Sequence, residues 1–198
     1  MDAGEVEGLR RPSRQLDPGS LRALAHPVRV QILSLLTVEG PATSAGLARR
    51  LKVRSGSTSW HLSKLAEHGL IEEIPQRGTL RERWWRATAP GWSVDAAGYL
   101  GDPRTSREAM VLLAAAISEQ FRRAQQFLAE DWDVRWRHSW ILESSRPLRL
   151  DPDRLAAMRE ELRDVLARYA ARPCATPATE TVLVQLQGFP VRHDEQST

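Results

Sequence analysis

Apolar positions in the first half of the chain fall at helical intervals separated by short stop signals. Leu21, Leu24 and Ala25 make a brief apolar turn, and Val28, Ile32, Leu35 and Leu36 then recur at helical spacing. Pro27 suits the first position of that second helix, where its missing N–H leaves nothing unpaired. Glu39-Gly40-Pro41 breaks the chain, Thr43 or Ser44 can cap a new helix start, and Leu47, Ala48 and Leu51 mark a third helix of about two turns. After the turn KVRSGS comes Ser57 to Ile71, STSWHLSKLAEHGLI, the most informative stretch of the sequence. Small hydroxyl residues (Ser55, Ser57, Thr58, Ser59) open it and are expected to cap a helix. Thr58, Leu62 and Leu65 share one face, while Trp60, Ser63, Lys64 and Glu67 fall opposite, so one stripe should pack and the other point outward. Gly69 fits the left-handed position that ends a helix, and Leu70, Ile71 and Ile74 have the character of a short strand. Pro75 to Leu80 reads as a turn-rich loop, and RERWWR as a second strand that sends Trp84 and Trp85 to opposite faces.

The second half has a different pattern. Thr105-Ser106-Arg107-Glu108 is a T-x-x-E capping box, with Met110, Ala114, Ile117, Phe121, Ala124 and Leu128 after it at spacings of 4, 3, 4, 3 and 4. This heptad seam predicts a long helix with a partner, either a second copy of the chain or the chain's own helices. Trp132, Val134, Trp136, His138, Trp140 and Leu142 alternate at period 2, which predicts a strand, although the three tryptophans also fit helical spacing. Asp151-Pro152 opens a helix striped by Leu155, Met158, Leu162, Val165 and Tyr169 and ending near Arg172. PCATPATE reads as a loop, and Val182, Val184 and Leu186 as a last strand. The fold class expected is mainly α with a β-wing: a winged helix-turn-helix over residues 18–90, then a long dimerisation helix and a small α+β region over 91–192. Residues 1–17 and 193–198 are expected to be mobile tails.

LRALAHPVRVQILSLL, then SGSTSWHLSKLAEHGLIEE, then RGTLRERWWRAT resemble the ArsR/SmtB family of winged-helix transcription regulators, over roughly Leu21 to Thr88. The resemblance rests most on the HPVR-x-x-I-L entry to the second helix and on the S-x-H-L-x-x-L-x-x-x-G-L-I block. It implies a homodimer that places two reading helices in successive major grooves of a pseudo-palindromic double-stranded DNA operator, with wings along the backbone or minor groove. Repression is the family expectation.

Charge adds a location for this chemistry. The formal net charge is only +3, but residues 18–90 carry +6 against −1 before and −2 after them. That excess suits a surface that neutralises phosphates. Candidate DNA contacts are Ser55, Ser57 and Ser59 at the start of the reading helix, Trp60 and Lys64 on its outward face, and Arg77, Arg81 and Arg83 on the wing. Lys64 is the foremost phosphate candidate. His61 matches the family histidine, with a structural hydrogen bond as the competing role. For each of the others the competing role is structural: capping for the serines, packing on the wing for Trp60, solvation for the wing arginines.

Several function classes are excluded. No cysteine pair exists near the third helix, no histidine lies between Ser106 and Glu130, and the five histidines show no ligand spacing, so neither a metal nor another cofactor is expected. The single Cys174 sits in Pro-rich sequence and reads as a loop thiol. No Gly-rich phosphate loop or hydrolase motif is present, so no enzyme is expected. Without an apolar run of about 18 residues or an apolar N-terminal segment, the chain reads as cytoplasmic and unattached to a membrane. Trp132, Trp136 and Trp140 could line a pocket for a small apolar effector or form plain core, and both readings stay open. So does a winged-helix module that binds protein rather than DNA.

Overall fold

Asp17 accepts a 2.7 Å hydrogen bond from the Ser20 backbone N–H and so caps helix α1 (Pro18–Leu24). The computed structural model describes residues 14–75, 82–140, 147–172, 176 and 179–191. Helix α2 (Pro27–Val38) begins at Pro27, with the His26 Nδ1 accepting from the Val28 N–H at 3.2 Å. Helix α3 (Ser44–Leu51) is capped by Thr43, whose hydroxyl accepts from Gly46 N–H at 3.1 Å. Lys52 then takes a left-handed conformation at φ 55°, and helix α4 (Ser55–Glu67) begins three residues later. Leu21, Leu24, Ile32, Leu47, Leu62 and Leu65 meet in one core beneath these four helices.

Gly69, at φ +61°, turns the chain out of α4 into the sheet. Strands β2 (Ala42–Thr43), β3 (Ile71–Glu73) and β4 (Trp84–Ala87) pair antiparallel in the order β2-β4-β3, with Ile71 opposite Ala87 and Ala42 opposite Trp85. Trp85 enters the core while Trp84 is half-buried, the split expected of adjacent strand residues. A second, two-stranded parallel sheet joins β1 (Arg14–Gln15) to β5 (Trp92–Ser93). Leu16 is buried beside it, so the expected N-terminal tail ends too late: residues 14–17 are held by pairing, burial and capping. Residues 1–13 and 193–198 lie outside the described residues, as does Cys174.

A short helix α5 (Ala96–Gly101) precedes α6 (Ser106–Ala129), the long helix that the seam predicts. The capping box is not formed. Thr105 Oγ1 instead donates to the Tyr99 carbonyl at 2.9 Å, because α5 brings that acceptor within reach. One face of α6 (Ala109, Leu112, Ala115, Glu119) is buried against α1 and α2. Met110, Ala114, Ile117, Phe121, Ala124 and Leu128 lie off that face, and all six are exposed.

Buried charge fixes α6 to its neighbours. Glu119 accepts from Ser34 Oγ at 2.9 Å, from Arg123 Nε at 3.1 Å and from Arg122 Nη2 at 2.7 Å. Arg123 also reaches Glu39 at 2.7 Å, and Glu39 reaches Arg50 of α3 at 3.2 Å. Burial alone would raise the Glu119 carboxyl pKa, but hydrogen bonds from Arg122 and Ser34 hold it below its ordinary value.

By internal contacts the chain divides after Glu130 into two compact units, with α6 in the first. The second unit contains α7 (Val134–Ser139) and α8 (Pro152–Ala170). The strand expected from Trp132 to Leu142 is not there: residues 134–139 are helical, and Ile141 and Leu142 lie outside the described residues. Spacing of four decided the outcome. Trp132 and Trp136 meet edge-on with centroids 6.3 Å apart, His138 Nδ1 lies 2.7 Å from the Val134 carbonyl, and Asp133 caps the helix through the Arg135 N–H. The strand expected at Val182 to Leu186 is likewise absent, since residues 179–191 form no ladder and an isolated strand has nothing to satisfy its backbone. None of the described residues from Asp131 onward is fully buried.

Candidate nucleic-acid interface

Helix α4 is anchored by one face and free on the other. Thr58, Leu62 and Leu65 are fully buried, while Ser55, Ser57, Ser59, Trp60 and Ser63 are exposed. The hydroxyls are not spent on capping: Arg54 is the N-cap residue, and no side chain caps the helix. Thr58 Oγ1 bonds back to the Arg54 carbonyl at 3.2 Å, and Ser59 Oγ lies 2.9 Å from Ser44 Oγ of α3. Ser55 and Ser57 project from the first turn, where hydroxyls can meet phosphates or base edges.

Other candidates are placed less simply. Lys64 is bound to Glu67 at 2.8 Å, so its ammonium must leave a carboxylate before it can grip a phosphate. His61, only 5% exposed, belongs to the packed side of the helix rather than to the surface. Its ring lies 4.7 Å from that of His26, and burial, with the neighbouring His26 and Arg29, pushes its pKa down. Burial does the same to His26, again with help from Arg29. On the wing, Arg83 is exposed, with Nε 3.9 Å from Glu73, and Arg86 pairs with Glu72 at 2.8 Å. Arg77 and Arg81 lie outside the described residues.

Two further contacts at this face were not foreseen from the sequence pattern. Ser44 meets Ser59 because the helix-turn-helix geometry brings the start of α3 against α4. Arg29 lies with its guanidinium carbon 5.9 Å from the centre of the Trp60 ring. A cation in the first turn of a helix opposes the helix dipole, and that is the sequence signal that marks Arg29.

Away from this face, a groove of about 330 Å³ between α2 and α6 is lined by Pro27, Gln31, Val111, Ala114, Ala115, Ser118 and Glu119. In the second unit Trp132 and Trp136 are half-buried against each other and Trp140 is 42% exposed. Among the described residues no group of three or more His, Cys, Asp or Glu could hold a metal, and no described helix is long and apolar enough to cross a membrane.

A family model agrees with this geometry. Residues 24–74 match one described as a helix-turn-helix domain, the segment that contains α2 to α4 and β3. Among solved structures, reduced HlyU from Vibrio cholerae N16961 is 24% identical, with 47% of this chain and 78% of that one covered and a TM-score of 0.31. The apo C30AH42A mutant of Lactococcus lactis ZitR is 20% identical, with 70% and 83% covered and a TM-score of 0.33. No curated protein matches the chain. By its family match and its own geometry the chain carries a helix-turn-helix domain with a β-hairpin after the second helix of the motif.

Proposed function

We propose that the protein is a sequence-specific regulator of transcription that binds double-stranded DNA as a homodimer, acts in the cytoplasm and represses its targets. The observation that carries this reading is helix α4: a rigidly anchored helix whose outward face offers Ser55, Ser57 and Trp60, and which leads directly into a β-hairpin. Such a helix fits the major groove, and the hairpin beside it fits the flanking backbone. The exposed apolar seam of α6 supports dimerisation. Six residues at heptad spacing, with Ile117 55% exposed and Phe121 65% exposed, are the composition of an interface rather than of a solvated face. Two copies joined along α6 would present two reading helices to a pseudo-palindromic operator.

A small apolar effector belongs to the same reading. The tryptophans Trp132, Trp136 and Trp140 supply the aromatic surface for one, and ligand-dependent quenching of tryptophan fluorescence is the measurement that detects it. The DNA reading is tested by a gel shift with the duplex upstream of the protein's own gene and an unrelated duplex of equal length. A regulator shifts the first at concentrations at least about tenfold below the second. Equal shifts would remove sequence specificity, and no shift would favour a protein-binding winged helix.

A further inference from the structure

Arg29 is a cation without a counter-charge among the described residues. Its Nε is buried and has no hydrogen-bond partner, and no described carboxylate pairs with it. Lys64, Arg83 and Arg86, the basic residues of the reading helix and wing that are described, each have a carboxylate in reach. The two histidines that feel the charge of Arg29 do not help. His26 uses its Nδ1 to cap α2, and His61 is buried with its own Nδ1 unpartnered. A half-buried guanidinium loses hydration on folding and regains little from neutral neighbours, so an anion from outside the chain would be held strongly.

The position selects the anion. Arg29 comes from α2, not from the reading helix, yet its guanidinium sits over the ring of Trp60, which is 53% exposed on the outward face of α4. The contact is within cation–π range and fixes both groups. We infer that Arg29 and Trp60 form a seat for one backbone phosphate beside the groove that α4 enters, with Arg29 supplying the charge and Trp60 the platform. The inference rests on the DNA-binding reading above, and adds to it a contact from outside the reading helix and wing. Because a phosphate carries no base identity, the seat contributes affinity and register rather than sequence choice.

The test is the salt dependence of binding by the full chain, read by fluorescence anisotropy with the upstream duplex and a scrambled duplex. Arg29→Gln is expected to lower the slope of log K against log salt by about one and to weaken both duplexes by the same factor, about tenfold at low salt. Arg29→Lys keeps the charge and is expected to keep the slope. Arg29→Met, which retains the aliphatic stem, replaces Gln if thermal melts show that variant unfolded. A folded Gln or Met variant with the wild-type slope overturns the inference and leaves the DNA reading standing. So does a melting temperature raised by inorganic phosphate in wild type but not in the Gln variant, if the DNA slope is unchanged, because the site would then take a free anion. Wild-type protein that binds neither duplex removes both the inference and the reading it rests on.

Discussion

At position 61 an imidazole occupies core volume, and its ionisation is therefore tied to folding. His61 and His26 both have pKa values pushed below the ordinary histidine value, chiefly by burial and further by Arg29 beside them. The unfolded chain then takes up protons first as the pH falls. The stability held in the neutral pair is complete above the ordinary imidazole value and is lost as the pH drops through it toward the depressed native one. Urea melts across that range are expected to show falling stability, and His61→Phe to flatten the fall. An unchanged pH profile in a folded His61→Phe variant would show that the buried ring is not the source. A different chemistry governs Arg123, whose side chain is 9% exposed and which bridges Glu119 and Glu39. Arg123→Ala removes the buried link between Glu119 and Glu39 while Arg122 and Ser34 still hold Glu119, and is expected to cost about 2 kcal/mol. Arg122→Ala, at a side chain 40% exposed, should cost under about 1 kcal/mol. Equal costs for the two would contradict the burial assigned to them.

Among the elements, α6 carries two surfaces at once. Ala109, Leu112, Ala115 and Glu119 join it to α1 and α2, and the seam from Met110 to Leu128 faces away from them. Phe121→Glu removes a large apolar contact and adds a charge, worth about 3 kcal/mol at an interface, which is about 100-fold in the dimer Kd. Analytical ultracentrifugation is expected to show this variant as a folded monomer at concentrations where wild type is a dimer. A wild-type monomer, or a variant that dimerises like wild type, would contradict the seam's role. Much at this scale was legible in the sequence. Helices α2 to α4 and α6 announce themselves by periodicity, by Pro27, by Thr43 and by Gly69, all of which act locally. Strands β1, β2 and β5 do not, since two-residue strands exist only through partners that lie far off in sequence, such as Arg14 with Trp92. Trp132, Trp136 and Trp140 satisfied two periods, and local bonds at Asp133 and His138 decided for helix. Thr105 failed as a cap because Tyr99, six residues back, offered a better acceptor.

At the scale of the molecule, charge and shape are divided between regions. The basic excess lies in the winged-helix segment, but its described lysine on α4 and its wing arginines are partly neutralised from within, by Glu67, Glu72 and Glu73. Affinity for DNA therefore depends on cations with no carboxylate beside them, and Arg29 is one that the hydrophobic pattern alone would pass over. The candidate site was readable in the sequence as far as the faces of α4. The burial of His61 and the contact between Arg29 and Trp60 arise from tertiary packing, whereas the Lys64–Glu67 pair is an i,i+3 contact within α4 that the sequence spacing carries. On the proposed reading, two copies of this chain together bind one duplex through phosphates and base edges. The most direct test measures the affinity and stoichiometry of the full chain on its upstream duplex over a range of salt. The expected result is two chains per duplex, with log K falling steeply and linearly with log salt. Binding that is absent, or that is indifferent to salt, would contradict it.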